Sequence, residues 1–186
     1  CRRSATVADR IELIREQLEK MLAEQPDMII STGGMGPGKF DLMEQVVARM
    51  GGTVVYNRLQ IRPGKATLFG LFDQVPFFAL PGPPPAVRIL FHELIVPALT
   101  RMQGCAEGGR ELISATLAAA LPIRHTGHVN LKGAVVRIVD SGLQVWPAQR
   151  MEPINAIVHL DSQRTTAQQG ETVQVRLVGP LQNWGM

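Results

Sequence analysis

Cysteine is nearly missing from this chain: Cys1 and Cys105 are the only two among 186 residues. Neither a disulfide framework nor a Cys-x-x-Cys metal site can be written with them, so a reducing, cytoplasmic setting is the default expectation. Aromatic residues are also scarce, at 5%, and do not alternate with the basic residues. The lysines and arginines are scattered rather than gathered into a stripe, which argues against a nucleic-acid partner. No apolar run approaches the roughly 20 residues that cross a bilayer, so no membrane association is expected. The start, Cys1-Arg2-Arg3-Ser4, shows no apolar signal segment and no initiator methionine, and it reads as a piece cut from a longer protein. Four histidines are present (His92, His125, His128, His159). His125 and His128 lack the cysteine or carboxylate neighbours of a metal site and read as ordinary surface or half-buried residues.

What remains is a folded composition, 45% hydrophobic and 19% charged, with a net charge of +3 that suits an anionic small ligand. Apolar residues at Val7, Ile11, Ile14, Leu18, Met21 and Leu22 follow helical spacing, with Ser4 or Thr6 as the expected cap. Met28–Thr32 reads as a buried strand, Asp41–Met50 as a helix stopped by Gly51-Gly52, and Thr53–Tyr56 as a strand. Ala66–Leu71 reads as a further strand or a short extended piece, and Val75–Leu80 as an apolar strand. A helix then runs to Met102 with a break expected at Pro97. The alternation predicts an α/β fold built on a parallel sheet, with its binding loops at the carboxyl ends of the strands. At Gln103–Gly109 the composition breaks. Beyond it, Glu111–Leu121, Val129–Val139, Leu143–Trp146 and Thr172–Val178 read as strands of a small all-β domain, with a hairpin at Asp140-Ser141-Gly142. Ile154–Leu160 fits helix and strand equally. Trp146 and Trp184 are expected to pack against or cap this half. The expected domains are residues 1–104 and 105–186.

The chain is organised around Ser31-Thr32-Gly33-Gly34-Met35-Gly36-Pro37-Gly38-Lys39-Phe40-Asp41. A strand, a glycine-rich loop and a helix N-terminus together form an anion cradle, because free N–H groups and the helix dipole point at the ligand. Gly33 to Lys39 satisfies G-x-x-x-x-G-K, but Phe40 stands where a nucleotide-binding P-loop requires a Ser or Thr hydroxyl, and Pro37 removes one N–H. Asp41 can hold Mg²⁺ or orient a water; with Glu44 it can equally form a capping box. Arg62 and Lys65 flank a Pro-Gly turn and can clamp an oxyanion, or form only a solvated basic loop. Pro81-Gly82-Pro83-Pro84-Pro85 alone is a stiff turn.

Three segments in order resemble the molybdopterin molybdotransferases, the MoeA family that includes the gephyrin E domain. They are Ser31–Asp41, Arg62-Pro63-Gly64-Lys65 and Leu80-Pro81-Gly82-Pro83-Pro84, against family patterns close to TSGGVSVGDYD, KPGKP and LPGNP. The resemblance covers the C-terminal half of that family. It implies a three-layer α/β domain, cut short at its front, followed by a small barrel-like domain. It further implies a cytoplasmic, dimeric transferase of molybdenum cofactor biosynthesis. Such an enzyme takes adenylylated molybdopterin and molybdate, uses Mg²⁺ and releases AMP. On this resemblance Asp41 and Lys65 would be catalytic, with Asp41 also the metal ligand. Gly33, Gly34, Gly36, Gly38, Lys39, Arg62, Gly82 and Pro84 would bind substrate. Departures fall on Lys39 in place of an acid, Gly36 in place of Ser, Arg62 in place of Lys and Pro83 in place of Asn. A lysine beside a divalent cation costs about 4 kcal/mol per charge at roughly 4 Å and an effective dielectric near 20. That keeps two alternatives open: a carrier that holds a molybdopterin-type or other phosphorylated ligand without turnover, and a simple interaction module.

Overall fold

The structure, a computed structural model, describes residues 6–35, 40–105, 111–123, 126–149 and 152–183. Its contacts divide the chain into two compact units. One contains residues 1–59 and 64–87; the other contains 60–63 and 88–186. The sequence expectation cut the chain once, at 104/105, whereas this division groups residues 88–104 with the β-rich half.

The first unit carries helix α1 (Ile11–Ala23), strand β1 (Ile29–Thr32), helix α2 (Phe40–Arg49) and strand β2 (Thr53–Tyr56). Strands β4 (Leu68–Phe72) and β5 (Val75–Leu80) complete its sheet, in the order β1-β5-β4-β2. Ile14 and Leu18 of α1 and Met43, Val46 and Val47 of α2 pack on one sheet face with Ile29, Leu68, Phe72, Phe77 and Ala79. The opposite face carries a row of rings, Tyr56, Phe69 and Phe78, with neighbouring centroids 5.6 and 4.6 Å apart. Helix α1 starts four residues later than the apolar period, because Val7 packs on the same core from outside the helix. Arg10 takes the cap position without a side-chain hydrogen bond. Thr6 is therefore not the cap, and Ser4 lies outside the described residues.

The α/β class is as expected, but the sheet is mixed. Only β1 and β5 pair in parallel; β5–β4 and β4–β2 are antiparallel. Connection length is the reason. Two residues, Asp73 and Gln74, join β4 to β5, and a parallel crossover needs a dozen or more.

The second unit holds strands β3 (Ile61–Arg62), β6 (Ile113–Leu117), β7 (Val129–Val139), β8 (Gly142–Pro147), β9 (Ala156–Leu160), β10 (Thr172–Leu177) and β11 (Gln182–Asn183). The pairings β7–β8–β6–β10–β9 return to β7 and close a five-stranded barrel. Its interior includes Leu117, Val136, Val145, Val158, Leu160 and Val175. The undecided segment is strand β9. Val158 and Leu160 point into the barrel, while Ile157 is buried outside it with Ile89 and Leu131. Burial on both faces erases the alternation that marks a half-buried strand. Trp146 stays half-buried on β8, with the Arg137 guanidinium 5.2 Å from its ring centre; Trp184 lies outside the described residues.

Helices α3 (Pro84–Leu90) and α4 (Val96–Met102) are joined by a π-helical turn at Phe91–Ile95. This is the break expected at Pro97. Proline offers no N–H and its ring crowds the preceding turn, so the ladder widens and the Val96 N–H donates to Phe91 O. Within the turn, Glu93 Oε1 accepts from His159 Nε2 at 3.0 Å on β9 and from Arg176 Nε at 3.1 Å on β10. The Glu93 side chain is only 9% exposed. Burial pushes its carboxyl up, but the hydrogen bonds and charges of His159 and Arg176 outweigh that and hold it below the ordinary value.

Asn155 pins the start of β9. Its Oδ1 accepts the Val136 N–H at 2.7 Å, and its Nδ2 donates to Val136 O and Pro180 O, each at 2.9 Å. Asn155→Ala would strand these buried groups and is expected to cost about 3 kcal/mol in urea unfolding. Glu93 stabilises the second unit above its unfolded pKa of about 4.3, and that contribution disappears as pH falls through its lower folded value. The unfolding midpoint of the wild type should therefore drop on acidification below about pH 4.3, and Glu93→Gln should flatten that part of the curve.

Candidate functional site

Strand directions decide where the sequence motifs go in the first unit. Strands β1 and β5 run parallel, with Thr32 opposite Leu80, so their following loops leave from one edge of the sheet. Strand β4 runs against β5, with Leu68 opposite Ala79, so the Lys65 turn enters β4 at that same edge. Strand β2 runs against β4 and also ends there, at Tyr56. The register brings the glycine loop, the Pro81–Pro84 turn and Lys65 to one edge. It is the position where α/β sheets hold ligands.

The two loops touch. The Gly33 N–H donates to Leu80 O at 3.0 Å. A Cβ on Gly82 would sit 3.3 Å from Gly33 Cα, a tight contact that would push the Gly33 backbone back by a few tenths of an ångström. Gly33 and Gly34 have φ of +92° and +70°, the left-handed region that L side chains rarely enter. One element of the expected cradle is thereby changed: the Gly33 N–H binds the end of strand β5 rather than facing outward for an anion. Pro84 begins α3 two residues after Gly82, where Pro83 O accepts the N–H groups of Ala86 and Val87.

Two acids not singled out for the site lie at this edge. Asp9 Oδ1 is 3.2 Å from where a Gly34 Cβ would be. Nothing in its local sequence marks it, since Asp9 falls at a polar position within the apolar period that starts at Val7. Glu44, placed in a capping box by its spacing, instead accepts from Asn57 Nδ2 at 2.8 Å, just past β2. The helix starts at Phe40, so Asp41 belongs to its first turn and Glu44 lies beyond capping reach. Asp41 is described by its backbone alone, and Gly36, Gly38 and Lys39 lie outside the described residues. Ser31 Oγ, at the end of β1, is buried with no hydrogen-bond partner among the described residues.

Lys65 is exposed on a turn in which Gly64 has φ +119° and Thr67 Oγ1 donates to Gly64 O at 2.8 Å. Arg62, on the other side of the cis Arg62–Pro63 bond, belongs by its contacts to the barrel unit. There β3 pairs with β7, Arg62 stands opposite Asn130, and Arg62 Nε is buried without a hydrogen-bond partner among the described residues. The structure thus gathers Gly33, Gly34, Gly82, Pro84 and Lys65 on the first unit and places Arg62 on the second. No group of three or more His, Cys, Asp or Glu residues able to hold a metal ion occurs among the described residues.

Comparison with known proteins bears on this edge. Residues 1–101 match the family described as a probable molybdopterin binding domain. Among curated relatives, a molybdopterin molybdenumtransferase of Nostoc is 30% identical over 105 residues, 55% of this chain and 24% of the relative. One from Staphylococcus aureus is 32% identical over 107 residues, 58% of this chain and again 24% of the relative. The match thus spans about a quarter of their length. Among solved structures, a molybdopterin biosynthesis MoeA protein from Pyrococcus horikoshii superposes with a TM-score of 0.74 at 23% identity, covering 92% of this chain and 42% of that one. A molybdenum cofactor biosynthesis protein from Pyrococcus furiosus gives 0.66 at 23% identity, covering 93% and 56%. These likenesses share the fold, barrel included.

Gly33→Ala should cost about 1 kcal/mol through its left-handed backbone alone, and Gly82→Ala a similar amount through the loop contact. Because the Gly82 Cβ would press on the Gly33 backbone, the two sites are coupled, and urea unfolding of the double variant is expected to depart from the sum.

Proposed function

The chain belongs to the molybdopterin-binding domain family, and on that premise we propose that its glycine-loop edge binds adenylylated molybdopterin in molybdenum cofactor biosynthesis. The reaction is that of a molybdopterin molybdenumtransferase. Molybdate is the second substrate, the phosphoanhydride of the adenylate is cleaved, AMP leaves, and molybdenum stays on the dithiolene. The observation that supports this reading is the strand register that brings Gly33-Gly34, the Lys65 turn and the Pro81–Pro84 turn to one sheet edge.

On this reading the Gly33-Gly34 and Gly82 backbones form the floor on which the pterin phosphate rests. Lys65 attracts its charge, and Pro84 stiffens the opposite wall. By the family resemblance Gly36, Gly38 and Lys39 would also serve binding, and the Arg62 guanidinium is a planar donor fork of the kind suited to phosphate or molybdate oxygens. Asp41 holds or orients the attacking oxygen, and Asp9 supplies a second carboxylate beside Gly34. Carboxylates are the chemistry Mg²⁺ takes, since it is held by one or two of them together with phosphate and water oxygens rather than by a protein cage. Bound there, Mg²⁺ would neutralise phosphate charge. We further propose a cytoplasmic homodimer, with domain limits at 1–104 and 105–186. Lys39, a cation where the family has an acid, favours one second reading: a carrier that holds the pterin without turnover.

Calorimetric titration of the full-length protein with adenylylated molybdopterin, following AMP release with and without Mg²⁺, tests both readings. Tight binding with Mg²⁺-dependent release is expected. Lys65→Ala should weaken binding about tenfold, and Asp41→Asn should abolish release while binding persists. Binding without release would leave the carrier, and no binding by the full-length protein would overturn both.

A further inference from the structure

The edge of the first sheet opposite the glycine loop is also concave. A cleft of about 390 Å³ opens there, lined by Leu22, Met50, Phe72 and Val75 and rimmed by Gln25, Gly51, Asp73 and Gln74. That volume lies within the range of small-molecule sites. Three chain reversals build it: the turn after α1, the turn after α2, and the two-residue link from β4 to β5.

The electrostatics of these reversals share one sign. Helices α1 and α2 both end at the cleft, with Glu24 and Gln25 N–H groups folding back on Met21 and Leu22, and those of Gly51 and Gly52 on Ala48 and Val47. Each helix C-terminus carries the equivalent of roughly half a negative charge. Asp73 adds a carboxylate, with no hydrogen bond or ion pair among the described residues, on a backbone whose φ of +53° fixes its place at the tip of the link. Of the basic residues in the last turns of the two helices, Lys20 is held by Glu16 at 2.7 Å, and Arg49 does not line the cleft. Phe72 is a buried floor at 5% exposure. An apolar floor under a negative rim selects against anions such as those proposed for the opposite edge.

We propose that this cleft is a second ligand site, for a small organic cation with an apolar body and a protonated amine at the Asp73 rim. The apolar body covers Leu22, Met50, Phe72 and Val75, and the ammonium lies between Asp73 and the two helix ends.

Three probes of one shape and different charge test it: 1-naphthylmethylammonium, 1-naphthylmethanol and 1-naphthoate, titrated into ¹⁵N-labelled protein by NMR. The ammonium should shift the amides of Gln25, Gly51, Asp73 and Gln74 saturably, with the alcohol weaker and the carboxylate weakest. Asp73→Asn should weaken the ammonium roughly fivefold, and it retains the turn because Asn tolerates positive φ. Equal affinity for ammonium and alcohol, an unchanged affinity in Asp73→Asn, or shifts confined to other residues would overturn the proposal.

Discussion

The pairing of β1 with β5 is the constraint on which the first unit depends. Among the described residues it is the one parallel pair of that unit, and the hydrogen bond from Gly33 to Leu80 O prolongs it past the end of β1. Because that pair is parallel, two loops far apart in sequence emerge side by side, and they approach so closely that a side chain on Gly82 would press on the Gly33 backbone. The β4–β5 hairpin then delivers Lys65 to the same edge without a crossover helix. A register change in β1 would move all of this at once, since each one-residue slip turns the strand's faces over.

The barrel unit is held by a different logic. Closure leaves no free edge among its five strands, and the remaining polar requirements are met by a few side chains. Asn155 satisfies three backbone groups at the start of β9. Glu93 secures the π-helical turn to β9 and β10 through two donors on a single oxygen. Breaking the helix at Pro97 and anchoring it through Glu93 are adjacent events in sequence. The wide turn is where the backbone ladder is already relaxed, so the carboxylate is presented there at little further cost.

Local pattern carried the helices and strands of the first unit to within a few residues, because apolar period and glycine stops are short-range signals. It failed where burial is two-sided or pairing is non-local. Strand β9 lost its alternation because both faces are covered, and β3 and β11 are two-residue strands defined only by β7 beside them. A parallel sheet was expected from alternating elements, and the two-residue Asp73-Gln74 link made it mixed. At the candidate site the glycines and Lys65 were legible as a motif. Asp9 was not, because its approach to Gly34 spans a helix and a strand. Glu44 kept its capping spacing but turned to Asn57, a partner available only once β2 is in place.

By itself, then, the sequence determined which residue types stand where: glycines at a sharp loop after an apolar strand, a Pro-Gly turn bearing Lys65, and a proline-bounded turn before a helix. Those are consequences of backbone sterics and apolar spacing, which act over a few residues. Tertiary structure alone decided that these turns share an edge, that the Gly33 N–H is used against the end of β5, that Asp9 joins them, and that Arg62 counts with the barrel. Each of those depends on strand direction and register, and these are fixed by burial summed over whole sheets rather than by any local run of residues.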